Sequence, residues 1–232
     1  MKIKGNMFLG TLKPFDYIMI GGVLISSLVM NIVSVVRGGS FDWLGFFAAV
    51  TGVIGNVLVA RGNILNYFFG AANVLLYAII AFITKYYGNA ALNLLYYLPM
   101  QFIGWHSWTN ARKKDDPVKV QARRMTWKEI LYTTLSIAAA TAAAWALLRY
   151  LKDSNPFMDA VTTILSMAAM FMMIRIYAEQ WYLWITINVI SIVMWIVQIG
   201  KVPYAGMMII MWTFYLINSI NGLVLWLKDS KA

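Results

Sequence analysis

Eight stretches of about 20 residues, each almost wholly apolar, fill most of this chain of 232 residues. They lie at 17–36, 41–60, 63–84, 86–106, 130–150, 157–176, 181–199 and 203–227. A helix needs about 20 apolar residues to cross a hydrocarbon core roughly 30 Å thick, so each stretch has the length of one crossing. Unbroken runs at 185–197 and 207–215 lack the alternation of a barrel strand, and only a helix satisfies such a backbone in lipid. Charged residues make up 12% of the chain, too few to cover a soluble globule. An all-α integral membrane protein is expected, with a first helix that is retained rather than cleaved as a leader.

The basic residues then give an orientation. With the N-terminus cytoplasmic, fourteen of the 19 Lys and Arg fall inside and five outside, which predicts that both termini are cytoplasmic. The one long polar connection, TNARKKDDPVKVQARRMTWKE, reads as a topology determinant that touches anionic headgroups. No fold accompanies its charge, so nucleic acid is not an expected partner.

The chain also repeats. The third and seventh spans align at an offset of 115, pairing Tyr67 with Tyr182 and Asn73 with Asn188. The fourth and eighth align at 118, pairing Tyr97 with Tyr215, Gly104 with Gly222 and Trp108 with Trp226. Eight transmembrane helices in a 1+3+1+3 order follow: two parallel triple-helix bundles joined by a linker helix, with a central path between them. The expected parts are 1–40 (an N-terminal cytoplasmic segment and extra helix), 41–108 (the first bundle), 109–155 (a basic cytoplasmic loop and the linker helix), 156–227 (the second bundle) and 228–232 (a cytoplasmic tail).

Little in the sequence equips the chain as an enzyme. There is no cysteine, no carboxylate near mid-membrane, and a lone His106 without a metal-ligating companion, so neither cofactor nor metal is expected. Asp42 and Asp159 fit helix caps, while Glu179 stands where it can reach a ligand. Neutral polar and aromatic side chains form stripes instead. Trp181, Trp184, Asn188, Ser191 and Trp195 share one face of the seventh span, since helical neighbours fall three or four positions apart. Asn66, Asn73 and Tyr77 share a face of the third span, Asn93, Tyr97, Gln101, Trp105 and Trp108 one of the fourth, and Trp212, Tyr215, Asn218, Ser219 and Gly222 one of the eighth. Interfacial belts explain Trp43, Trp127, Trp145, Trp226 and Trp105. The mid-span carboxamides with Trp184 describe a pocket for a flat, hydroxylated solute such as a nucleoside or sugar. Candidate hinges are Pro99, Gly104, Pro203 and Gly222, and Gly45, Gly52 and Gly55 offer a close-packing dimer face.

The segments QFIGWHSW (101–108), AEQWYLWITINV (178–189) and YLINSINGLVLW (215–226) resemble the PnuC family of bacterial vitamin transporters over nearly the whole chain. The resemblance implies inner-membrane import of nicotinamide riboside by facilitated diffusion, trapping by a separate cytoplasmic riboside kinase, and a homotrimer. Relatives that take thiamine or riboflavin, and a gradient-coupled importer, are the alternatives. Nicotinamide riboside carries a permanent pyridinium charge, and a cation over an indole face gains about 0.5–2 kcal/mol. Trp181 and Trp184 are candidates for that ring, and Asn188, Gln101 and Asn73 for the hydroxyls and carboxamide. Tyr97, Trp212, Tyr215 and Asn218 complete the expected lining.

Overall fold

The computed structural model describes residues 12–84, 87–112, 116, 118–151, 156–201 and 205–230. Lys2, Lys4, Lys85, Lys113, Lys114, Lys152 and Lys231 of the charge count, and the hinge candidate Pro203, lie outside them. The molecule is all-helical. Its spans are α1 (Pro14–Val36), α2 (Trp43–Ala60), α3 (Asn66–Ile83), a fourth span in pieces, α6 (Trp127–Tyr150), α7 (Pro156–Ile174), α8 (Gln180–Val197) and α9 (Ala205–Asp229). The seven unbroken helices are each long and apolar enough to cross a membrane. The fourth span runs through α4 (Tyr87–Ala91), a π-helical stretch (Leu92–Tyr97) and α5 (Leu98–Asn110). Pro99 supplies the cause: it has no N–H for the carbonyl one turn earlier, and the preceding turn widens into i→i+5 bonding.

Six helices close a ring. α2 packs on α3, α3 on α5, α5 on α7, α7 on α8, α8 on α9, and α9 back on α2. α1 lies outside against α2 and α9, and α6 lies outside against α7. Both outer helices place an acid in their first turn that binds back to the chain before the helix, satisfying an orphan N–H. Asp16 accepts the Lys13 N–H at 2.7 Å, and Glu129 accepts that of Thr126 at 2.7 Å. Each acid also reaches the end of the neighbouring hairpin: Asp16 pairs with Arg61 at 2.6 Å, and Glu129 accepts from the Tyr177 hydroxyl.

The α2–α3 and α7–α8 turns have one form. Gly62 (φ 62) and Ile176 (φ 64), 114 residues apart, are both left-handed. A β-branched residue there is strained, and Ile176 is held by partners on both sides. The spacing of 114 makes Trp181, not Tyr182, the counterpart of Tyr67, and separates Asn73 from Asn188 by one position. The expected pairing at 115 is therefore one residue out, because the equivalence lies in backbone conformation and the turn residues differ chemically.

The basic connection does more than carry charge. Residues 118–123 form an extended strap with Val118, Val120 and Ala122 buried and Gln121 and Arg123 exposed. That alternation is the strand period. The strap bonds to the first turn (Ile64 N to Val118 O, 2.8 Å; Val120 N to Gly62 O, 3.0 Å) and then to the second (Arg123 N to Ile176 O, 3.0 Å; Ala178 N to Arg123 O, 2.9 Å). Between these, Ala122 N donates to Asp229 at the end of α9 (2.9 Å). One segment thus fastens both halves of the ring at the basic end. Glu179 belongs to this fastening rather than to a ligand: its carboxylate accepts from Arg124 Nε (2.6 Å) and Met125 N (3.1 Å).

Two other expectations change. Gly52 lies inside the ring under Tyr215 and Asn73, and Gly55 lies against α3, so these glycines form no dimer face. Trp226 is 3% exposed, a core residue and not an interfacial one, whereas Trp43, Trp105, Trp127 and Trp145 are exposed as a headgroup belt requires. Asp42 is a helix cap as expected, accepting the Gly45 N–H at 2.7 Å.

Candidate substrate site

The ring's interior is built in layers along the helix axes. At the strap end, rings run in contact from Tyr67 to Trp108 (5.2 Å), to Trp226 (6.0 Å), to Trp181 (5.9 Å). Two indoles of this inner layer lock one half of the ring to the other. Trp108 Nε1 donates to Met173 O of α7 (3.1 Å), and Trp226 Nε1 donates to Val59 O of α2 (3.2 Å). Both acceptors are carbonyls of a helix's last turn, which lack partners within the helix. Val118, Val120 and Ala122 of the strap pack on the same cluster.

Gly104 and Gly222 are contact points of this layer rather than demonstrated hinges. A methyl added at Gly104 falls inside the Tyr67 ring, and one at Gly222 falls against the Trp181 indole. Gly104→Ala and Gly222→Ala should each destabilise the protein by about 1–3 kcal/mol, the usual cost of overpacking. Thermal unfolding of the detergent-solubilised protein checks this. Gly21→Ala, which meets nothing within 4 Å, serves as the control that should not lose stability.

A second aromatic layer lies toward the other end. Tyr77 touches Trp195 (6.5 Å) and Trp212 (6.2 Å), and Trp212 touches Tyr215 (5.3 Å). Ten residues of α3 separate Tyr67 from Tyr77, about 15 Å of helix rise.

Between the layers lie the carboxamides. Asn73 donates to Ala48 O (2.8 Å) and accepts from Tyr215 OH (3.3 Å). Asn188 donates to the Ser219 hydroxyl at 2.9 Å, and Asn218 donates to Asn56 O at 2.8 Å. Trp184 Nε1 donates to Gln180 Oε1 at 3.2 Å, and the Tyr97 hydroxyl bonds Ser166. Gln101 is buried with its amide against Gly70.

The expected lining is therefore distributed. Asn73, Gln101, Asn188, Asn218, Tyr97 and Trp184 occupy the middle. Trp181 stands in the inner aromatic layer, and Trp212 and Tyr215 stand in the outer one. Asn56 and Gln180 were not anticipated. Asn56, a lone amide inside an apolar helix, carried a signal; Gln180, next to Glu179 at a span end, carried almost none. His106 is exposed and pairs with the Asn110 amide at 3.1 Å, with no role in the interior. Among the described residues no three His, Cys, Asp or Glu side chains come together to hold a metal.

The two halves furnish this middle differently. At a spacing of 114, Trp184 of α8 corresponds to Gly70 of α3; at 118, Ser219 of α9 corresponds to Gln101 of α5. One half thus carries a large indole and a small serine at these places, and the other a glycine and a large carboxamide. The middle of the interior carries an indole on one side and a carboxamide on the other.

Residues 42–228 match the family described as nicotinamide mononucleotide transporters. The chain belongs to this family. The nicotinamide riboside transporter PnuC of Neisseria mucosa is 35% identical over 82% of this chain and 74% of its own length. The protein of the same name from Haemophilus influenzae is 30% identical over 97% of this chain and 94% of its own. The crystal structure of the vitamin B3 transporter PnuC superposes with a TM-score of 0.84 at 31% identity, covering 97% of this chain and 95% of that one. Membership makes this a multi-pass membrane protein of a bacterial transporter family.

Proposed function

We propose that this chain imports nicotinamide riboside across the bacterial inner membrane by facilitated diffusion, with the strap and both termini in the cytoplasm. The names of its relatives support the substrate, and the unequal walls of the interior carry the reading: Trp184 gives the pyridinium a face, and Gln101, Asn73 and Asn188 give the ribose its partners. Among the described residues no carboxylate lies between the two aromatic layers, which favours uniport over proton coupling. A uniporter equalises concentrations, so net uptake requires consumption inside, by a riboside kinase. A homotrimer is adopted from the family resemblance.

The corresponding turns, aromatic layers and cross-ring Trp locks support a 1+3+1+3 repeat of two parallel bundles. In that reading α6 stands to the second bundle as α1 does to the first. The bundles rock about the middle layer, so that the inner and outer aromatic layers open in turn. The outer layer gives access to the site, and the inner layer with its strap releases the substrate.

Calorimetric titration of the purified protein tests the site. Trp184→Ala should weaken nicotinamide riboside by at least about thirtyfold, the equivalent of 2 kcal/mol for a desolvated cation over an indole. Unchanged affinity removes Trp184 from the site. Uptake into proteoliposomes should proceed with equal pH and sodium on both sides, and a requirement for either gradient overturns uniport.

A further inference from the structure

Gln180 opens α8 and is wholly buried. Its Oε1 accepts the Trp184 indole N–H at 3.2 Å, while its Nε2 has no hydrogen-bond partner. Rotating the amide does not relieve this. It would set Nε2 against the indole N–H, donor facing donor, and Trp184 therefore fixes which end is which. A buried amide donor without an acceptor is destabilising until something accepts from it. Asn66, which holds the corresponding place in α3, has no such vacancy, since its Nδ2 donates to Asn63 O at 2.8 Å. The vacancy belongs to the half of the ring that carries the indole.

We infer that Gln180 is a specificity-determining residue: its Nε2 donates to the carbonyl oxygen of the substrate's carboxamide, while its Oε1 holds Trp184 at the angle needed for stacking. This rests on the reading that the pyridinium lies on Trp184. The indole N–H is on the ring's edge, so Gln180 stands at the rim of the stacking face, where a substituent of the stacked ring projects. Asn188, one turn beyond Trp184 on the same helix, is already bonded to Ser219. A pyridinium riboside without a carbonyl leaves the Gln180 donor empty and is discriminated against, as buried donors reject ligands that lack the matching acceptor.

The test titrates wild type, Gln180→Met and Gln180→Glu with nicotinamide riboside and with the pyridinium riboside that lacks the carboxamide. Wild type should prefer nicotinamide riboside by about tenfold or more, one buried hydrogen bond. Both variants should bring that ratio close to one. Gln180→Glu retains the oxygen that receives the Trp184 N–H, so the indole stays positioned while the donor is lost. Its added charge acts on two equally cationic ligands and cancels in the ratio. A ratio that survives in both variants overturns the role of Gln180 while leaving Trp184 as the stacking wall. Failure of wild type to bind either riboside overturns the stacking reading itself, and this inference with it.

Discussion

A protein carrying cysteines in place of Arg123 and Tyr177 should lose uptake on oxidation and regain it on reduction. The two positions face each other across a parallel bridge between the strap and the α7–α8 turn, with the Arg123 guanidinium 4.2 Å from the Tyr177 ring centre. Paired strands place such residues about 4.8 Å apart, within the separation a disulfide spans. The chain has no cysteine of its own, so this pair is the only one able to cross-link.

In the proposed cycle, release toward the strap end requires the inner rings to part, and the strap bonds both turns on which those rings are mounted. A covalent tie at 123–177 holds the second half of the inner layer shut. The expected result is uptake at background in oxidised proteoliposomes, recovery with reductant, and binding of nicotinamide riboside in titration unchanged by oxidation. The reduced protein is the control, because both substitutions also remove the cation over Tyr177 and the Tyr177–Glu129 bond. Full uptake by protein shown by mass spectrometry to be cross-linked would eliminate the strap as part of the inner closure.

The strap marks where the sequence stopped being legible. Spans announce themselves because 20 apolar residues have few alternatives, and the structural ends fall within a few residues of those read from hydropathy. The stripes were partly legible: Asn73 and Asn188 do meet other polar groups inside the ring, and Gln101 is buried there. Val118, Val120 and Ala122, in contrast, are three apolar residues in a connection with seven basic ones, and a strand of that length shows itself only when its partners are known. Register was lost for a related reason. Gly62 and Ile176 share a backbone conformation and no side-chain chemistry, so alignment by residue type slipped by one. Tryptophans divided by burial, which type does not report: Trp226 and Trp127 look alike in sequence, yet one is core and the other 68% exposed.

Asp16→Ala should be the most damaging substitution to stability outside the ring. Asp16 is fully buried, and its carboxylate receives Arg61 Nε at 2.6 Å and Nη2 at 3.0 Å, a bidentate pair between the first turn of α1 and the residue that ends α2. Removing one partner leaves a guanidinium that is only 13% exposed without its counter-charge, and broken buried pairs are destabilising by about 3–5 kcal/mol. The pair itself need not be strongly stabilising, since two charges had to be desolvated to form it. Asp16→Ala with Arg61→Met should therefore recover most of the loss. Unfolding of each variant in mixed detergent micelles measures this. A double variant as unstable as Asp16→Ala alone would shift the cause to the lost bond from Lys13 N at the start of α1. Recovery assigns it to the stranded arginine, and makes α1 a helix held to the ring at its basic end chiefly by apolar packing, with the ion pair selecting where along α2 it docks.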